Sequence, residues 1–143
     1  MNVLVAVDLS PAADKVIAAA ERVALAIGAE VFVLHVAEPE PDFVGYDAGP
    51  NVVRQQVADE YRREHRAVQD LAERLRAAGV RATALLIQGP TAATTLREAV
   101  RLNAELIVVG SHGHGAVYDV LVGSYSAAIL RQSPVPVLVV PTR

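Results

Sequence analysis

The chain has 143 residues, close to the roughly 150 of an average domain, so we expect residues 1–143 to form a single domain. Apolar residues make up 52% of it, but charged residues interrupt every apolar stretch before the ~18 residues that cross a bilayer, which excludes an integral membrane protein. The net charge of −3 gives no overall attraction for nucleic acids, and the lack of cysteine excludes disulfides, thiol nucleophiles and thiolate metal sites.

The first ten residues predict a strand rather than a signal peptide. They contain no basic residue, and Asp8 interrupts their apolar run before a cleavage site could follow. We therefore expect a cytoplasmic protein.

Five apolar runs rich in β-branched residues predict β-strands. The runs are Val3–Val7, Val31–Val36, Ala82–Ile87, Leu106–Val109 and Val135–Val140. Their residues are apolar in succession rather than alternately, as in parallel strands that are covered by helices on both faces. Segments of helical periodicity separate the runs, so the sequence predicts an α/β fold with a mostly parallel sheet.

Four segments between these runs predict helices. The first has Ser10 as its N-cap, Pro11 at its first helical position and Gly28 as its stop. The other three are predicted at Asn51–Ala78, Thr91–Asn103 and Ser124–Gln132. The Arg, Asp and Glu residues of the second helix, including Glu64, are interpreted as a solvated face with i, i+4 pairs.

Right-handed crossovers, with the first two helices on one face and the last two on the other, predict an open Rossmann-like sheet of order 3-2-1-4-5. Strands one and four are then neighbours at the point where the strand order reverses. Open α/β sheets bind ligands at that point, beyond the carboxyl ends of the strands. Asp8-Leu9-Ser10 follows the first strand and Gly110-Ser111-His112-Gly113 follows the fourth.

Two elements suited to anions meet at this predicted crevice. Glycines directly after the fourth strand permit a positive φ and let an anion approach the main-chain amides. Gly123-Ser124 opens the last helix, whose first N–H groups and positive dipole end suit phosphate. The hydroxyls of Ser124 and Ser126 are additional donors there.

The spacing Gly110-x2-Gly113-x9-Gly123-Ser124 resembles the G-2x-G-9x-G-[S/T] nucleotide motif of the universal stress protein family, in its ATP-binding branch. The similarity covers essentially the whole chain. It includes His35-Val36 at the end of the second strand and the final Ser133–Val140 segment. The resemblance implies an adenine nucleotide alpha hydrolase-like fold. It also implies a homodimeric stress-response module that binds ATP, or ADP or AMP, with Mg²⁺ and has little or no intrinsic turnover.

The resemblance also implies a place for each part of the nucleotide. Asp8 and Ser10 would lie near the nucleoside and the metal-bridged phosphates, with Asp8 near the Mg²⁺. Val36 would meet the adenine edge through its main chain. The ribose and phosphates would be held by Gly110, His112, Gly113, Gly123, Ser124 and Ser126. His114 stands where the family often has Arg or Lys, and if protonated His114 faces phosphate, the affinity for ATP should rise at lower pH.

Less specific interpretations of the same residues stay open. Asp8 also suits a turn or cap before the first helix, and the two serines of the last helix suit helix capping. His112 and His114 form an i, i+2 pair with no third metal ligand at suitable spacing. His35, on an apolar strand, is predicted to be a hydrogen-bonded histidine rather than a base.

Two other classes of function also stay open, an adenylyl- or phosphoryl-transfer enzyme with Asp8 organising a metal, and a nucleotide-free dimeric interaction module. The sequence has no P-loop and no G-x-S-x-G nucleophile elbow, and Gly110–Gly115 has the wrong order for a dinucleotide fingerprint. In each case we expect a homodimer, because Val135–Val140 is an apolar edge strand without charge, and Pro136 is tolerated at an edge.

Overall fold

The computed structural model describes residues 1–38, 50–112 and 122–142, in which strands and helices alternate along the chain. The elements are β1 (Asn2–Ala6), α1 (Ala13–Ile27), β2 (Glu30–Ala37), α2 (Pro50–Ala77), β3 (Ala82–Gln88), α3 (Thr91–Arg101), β4 (Leu106–Gly110), α4 (Ser124–Gln132) and β5 (Val137–Val140). Every predicted strand and helix is therefore present, and α4 has the predicted bounds.

The strands form one parallel sheet of order β3-β2-β1-β4-β5, which confirms the predicted topology. In its centre Val5 of β1 lies opposite Val33 of β2 and Val108 of β4, and all three are fully buried. The order reverses between β1 and β4. Their carboxyl ends therefore border the predicted crevice, and β5 is an edge strand.

Helices cover both faces of the sheet as predicted, so the strands are buried on both sides. One core lies under α1 and α2, where Ile17 and Leu75 are among the largest fully buried side chains. The other core lies under α3 and α4 and contains Ile107 and Ile129. Burial from both sides explains why the strand sequences are apolar at successive positions.

At two element boundaries the prediction is wrong because a serine side chain redirects the main chain. The main-chain N–H of Ala13 donates to Ser10 O at 2.9 Å and that of Ala12 to Ser10 Oγ at 3.3 Å, so a tight turn precedes α1 and the helix begins at Ala13. Strand β5 begins at Val137 rather than Val135. The Ser133 hydroxyl donates to Val135 O at 2.7 Å and accepts from Val135 N at 3.2 Å, which occupies both main-chain groups that a strand would use.

Helix α3 also ends earlier than predicted, at Arg101 rather than Asn103. Asn103 adopts φ 51°, in the left-handed region where asparagine can replace glycine after a helix. Among the described residues, no helix is both long enough and apolar enough to cross a membrane.

Candidate functional site

A cleft of about 840 Å³ opens at the carboxyl ends of β1, β2 and β4, where the sheet order reverses. It brings together most of the predicted site residues: Asp8, Val36, Gly110, His112, Gly123, Ser124 and Ser126 line it. Ser10 is not part of the lining, and Gly113 and His114 lie outside the described residues. The volume falls within the ~300–1,000 Å³ typical of small-ligand pockets.

The segment that follows β1 at the cleft forms an Asx turn. The Asp8 Oδ1 accepts the Ser10 N–H at 3.0 Å, and Leu9 between them has φ 63°. A left-handed leucine is strained, and the side-chain hydrogen bond across it helps to hold that conformation. The turn keeps the Asp8 carboxylate at the cleft, while Ser10 points its hydroxyl oxygen to the Ala12 amide of the turn before α1.

Of the two motif glycines in the described part of the chain, Gly110 lacks the positive φ expected after the fourth strand, and Gly123 has the extended conformation of a residue that precedes a helix. Gly123 has φ −68°, and Gly110 is not among the described glycines with positive φ. Close packing explains Gly110 instead, because a Cβ there would lie 2.9 Å from Thr142 Cγ2 and 3.2 Å from Val16 Cγ2. Gly123 approaches the end of β4 closely and donates its N–H to Ser111 O at 2.7 Å.

The turn after β4 is held internally by the C-terminal segment. Thr142 Oγ1 accepts the His112 N–H at 3.2 Å and lies 3.1 Å from Ser111 Oγ. Ser111 in turn donates its N–H to Val140 O at 2.8 Å, and its hydroxyl lies 3.2 Å from His112 Nδ1. The amides of Ser111, His112 and Gly123 are therefore engaged within the protein. The rest of the predicted anion-binding turn, Gly113–Gly115, lies outside the described residues, so that turn stays a prediction.

The start of α4 does present unengaged amides to the cleft. The first helical hydrogen bond runs from Ala127 N to Gly123 O at 2.9 Å, so in the described part of the chain the amides of residues 124–126 precede the helical ladder. Ser124 is exposed, whereas Ser126 is buried and donates its hydroxyl to Gly110 O at 2.5 Å. Ser126 thus fastens α4 to the end of β4, and Ser124 is the serine with a hydroxyl open to a ligand.

Tyr125 contributes a phenol to the cleft that the sequence analysis missed. Its hydroxyl lies 2.7 Å from Thr95 Oγ1, and Thr95 donates its own proton to Thr91 O at 2.8 Å. Tyr125 therefore donates to Thr95. The pKa of Tyr125 is raised to about 12, mainly because the phenol is buried and also because of the negative charge of Asp8. The sequence signal for a polar partner of Tyr125 was the pair of polar residues Thr91 and Thr95, one helical turn apart.

The opposite wall carries His35 and Glu64. His35 Nδ1 lies 2.9 Å from Val7 O, which confirms that this histidine is hydrogen-bonded, and its Nε2 lies 3.3 Å from Glu64 Oε2. The interpretation of Glu64 as part of a solvated face holds only in part, because its side chain is 25% exposed but its Oε2 is buried. The sequence signal for this burial was the position of Glu64 at helical spacing before Val68 and Leu71, on the apolar stripe of α2.

The comparisons with known proteins agree with this architecture. The model of the universal stress protein family matches residues 1–141. The chain belongs to this family. It is 37% identical over 140 residues to a universal stress protein of Thermus aquaticus, covering 97% of each chain. It is 34% identical over 141 residues to the universal stress protein A homolog 1 of Coxiella burnetii, covering 97% of this chain and 94% of the relative.

Solved structures of universal stress proteins share the fold. UspA of Lactobacillus plantarum superposes with a TM-score of 0.83 at 22% identity, covering 98% of this chain and 97% of that one. A universal stress protein solved in complex with cAMP has a TM-score of 0.70 at 22% identity and covers 100% and 98%. One from Archaeoglobus fulgidus in complex with dAMP has a TM-score of 0.67 at 19% identity and covers 98% and 97%.

Proposed function

We propose that this universal stress protein is an adenine-nucleotide-binding regulatory module of the stress response, in which occupancy of the cleft biases conformation or partner choice. The observation that carries the proposal is that one cleft joins the Asp8 turn, the Val36 strand end and the start of α4. Apolar walls beside a few convergent polar groups are what a small-molecule site requires. The two family structures with cAMP and dAMP support an adenine nucleotide as the ligand.

We assign each part of the nucleotide to residues in or near the cleft. The main chain of Val36, at the end of β2, would meet the adenine edge, and Asp8 and Ser10 would lie toward the nucleoside and the metal-bridged phosphates. The amides at the start of α4 and the Ser124 hydroxyl would bind phosphate. The remaining residues proposed to surround ribose and phosphates are Gly110, His112, Gly113, His114, Gly123 and Ser126.

ATP, ADP or AMP are the proposed ligands, with Mg²⁺ accompanying the polyphosphates. The donor chemistry fits this ion, since the Asp8 carboxylate lies in the lining and Mg²⁺ usually combines one or two carboxylates with phosphate oxygens and water. Within the described residues, no group of three His, Cys, Asp or Glu side chains could hold a metal ion by itself. Asp8 would therefore contact Mg²⁺ only together with the bound phosphates.

The proposed role is binding with little or no intrinsic turnover. Phosphoryl transfer relies on cations that stabilise charge on the transferred group. Among the described residues that line the cleft, none is Lys or Arg. A site with this described lining would hold a nucleotide, and that lining would supply no Lys or Arg charge to accelerate its cleavage.

We further propose that residues 1–143 act as one domain, that the protein is cytoplasmic and that two copies pair through β5. Strand β5 is an edge strand of apolar residues, with Val137, Leu138 and Val139 only partly buried. Unpaired main-chain groups on such an edge favour pairing with a second copy. A monomeric mass at micromolar concentration would contradict the pairing.

The experiment that tests the proposed function is direct identification of the bound ligand. Protein purified under native conditions is denatured, and the released small molecules are identified by mass. Calorimetric titration with AMP and with ATP plus Mg²⁺ follows on the emptied protein. We expect adenine nucleotide in the released fraction and saturable binding at one site per chain. Failure to release or to bind any adenine nucleotide would refute the proposal.

A further inference from the structure

The parallel sheet has two outer strands, β3 and β5, because its order is β3-β2-β1-β4-β5. On one side of an outer strand, no neighbouring strand uses the main-chain N–H and C=O groups. A strand of a second molecule can pair with these groups. What occupies the outer side of β3 therefore decides whether copies of this chain can join there.

The outward residues of β3 follow from its pairing with β2. In a strand, the N–H and C=O of one residue point to the same side, and successive residues alternate. Arg81 O accepts the Val31 N–H at 2.8 Å, and Gly89 donates its N–H to Ala37 O at 3.1 Å. The odd-numbered residues therefore face β2, and the main-chain groups of the even-numbered residues face outward: 82, 84, 86 and 88.

Two side chains of α2 occupy outward carbonyls of β3. Arg76 donates from Nε to Ala82 O at 2.8 Å. Tyr61 donates its hydroxyl to Leu86 O at 3.4 Å. Both acceptors belong to the outward set, and they are its first and third members. No two neighbouring outward carbonyls of β3 therefore remain open to a partner strand.

The position of Arg76 follows from the short connection between α2 and β3. Gly79 adopts φ 94°, which favours glycine, and the chain returns along α2 within a few residues. Glu73 Oε2 accepts from Arg76 Nη1 at 3.1 Å, while Nε bonds Ala82 O. A partner strand would have to place its own N–H about 2.9 Å from the same oxygen, where the guanidinium already lies.

The outward side of β5 is the edge through which we propose pairing above. Ile107 of β4 donates its N–H to Pro136 O at 3.0 Å, so the even-numbered residues of this segment face β4. The main-chain groups of Val137 and Val139 face outward. Antiparallel pairing of β5 with β5 of a second copy would close on itself as a two-fold contact.

A second pairing edge would change the type of assembly. If each chain paired through β5 and also through β3, every dimer would carry two further β3 edges. Copies would then continue to add, and the assembly would become an open filament. Closing the β3 edge leaves one pairing edge per chain and ends the assembly at two copies.

On this basis we propose that Arg76 and Tyr61 close the β3 edge against a second copy of this chain, so that copies join through β5 alone and assembly stops at two. The closure of β3 depends neither on a bound nucleotide nor on pairing through β5. The limit of two copies rests on the pairing through β5 proposed above.

The test is the molecular mass as a function of protein concentration. Arg76→Met and Tyr61→Phe are combined, because they remove the two donors and keep most of the side-chain volume. Sedimentation and light scattering are measured from about 1 µM to about 100 µM, the range in which exposed strand edges associate. We expect the mass of the wild type to level off and that of the double variant to reach at least about twice the wild-type value.

Two further variants control for charge and locate the contact. Arg62→Met removes the same charge from α2, but Arg62 contacts Asp59 rather than β3, so this variant should keep the wild-type mass. Thr83 is an exposed residue of β3. Thr83→Lys, added to the double variant, should restore the wild-type mass, because lysine on an edge strand opposes pairing.

The outcomes separate the closure of β3 from the pairing through β5. A double variant with the wild-type mass at every concentration would overturn the closure. An increase in mass that Arg62→Met reproduces, or that Thr83→Lys does not reverse, would also overturn it, since unfolding or lost charge would then be the cause. A monomeric wild type, or one that grows beyond two copies, would overturn the limit of two. Nucleotide binding is decided separately by the released-ligand experiment.

Discussion

Ser124 and Ser126 lie two residues apart at the start of α4, and the structure assigns them different roles. Ser126 is 3% exposed and donates to Gly110 O at 2.5 Å, whereas Ser124 is exposed and its side chain caps no amide of the helix. Replacing Ser126 with Ala removes a buried hydrogen bond, which costs about 1–2 kcal/mol. At about 2.1 cal/mol/K per residue over 143 residues, this loss lowers the melting temperature by about 3–7 °C.

The paired variants are compared by thermal unfolding and by titration with AMP. Ser126→Ala is expected to lower the melting temperature. Ser124→Ala should leave it within about 1–2 °C but weaken AMP binding about five- to tenfold, the equivalent of about 1 kcal/mol from one lost hydrogen bond. Equal melting temperatures for the two variants would refute the fastening role of Ser126. Unchanged affinity in Ser124→Ala would refute the contact between its hydroxyl and phosphate.

Three further predictions concern residues around the cleft. Gly110→Ala should lower the free energy of unfolding by about 1–3 kcal/mol in urea unfolding, because the new Cβ would lie 2.9 Å from Thr142 Cγ2. Gly123→Ala should change it by less than about 0.5 kcal/mol, because the nearest atom to its Cβ would lie at 3.4 Å. Equal losses would contradict the packing account. Since the pKa of Tyr125 in the folded protein is raised to about 12, the stability of the wild type should fall as pH rises from 10 to 12, and Tyr125→Phe should lack this part of the loss. A midpoint near 10 in the difference between the 295 nm titrations of the wild type and Tyr125→Phe would disprove this prediction. Asp8→Ala should cost about 1 kcal/mol of stability because it removes the acceptor of the Asx turn, and Asp8→Asn should recover most of that loss; no recovery would show that the charge matters rather than the turn.

Most of the fold could be predicted because the strands are buried on both faces. Runs such as Val31–Val36 have a strong local signal, and the helices between them leave few topologies for a parallel sheet. Boundaries were harder to predict where one side chain redirects the main chain. The hydrogen bonds of Ser133 keep Val135 out of β5, and those of Ser10 form a turn that makes α1 begin later than predicted. In the sequence both serines look like ordinary turn or cap residues.

The location of the cleft could be predicted, but the roles of several residues within it could not. The strand order alone placed Asp8 and Gly110 at one crevice. The closeness of Thr142 to Gly110 depends on contacts between distant parts of the chain, so the sequence suggested backbone freedom where the structure shows tight packing. The left-handed conformation of Leu9 could not be predicted either, because leucine rarely adopts it and the Asp8 hydrogen bond that helps to hold it is not visible in the sequence.

The most direct test of the account is whether an adenine nucleotide binds in the cleft between β1 and β4. AMP is titrated into the wild-type protein and into Ala12→Trp, which places an indole at a partly buried position of the cleft lining. We predict one site per chain in the wild type and at least about tenfold weaker binding in the variant, with an unchanged circular dichroism spectrum. Equal affinity of the two proteins for AMP, or no binding to the wild type, would contradict the central claim.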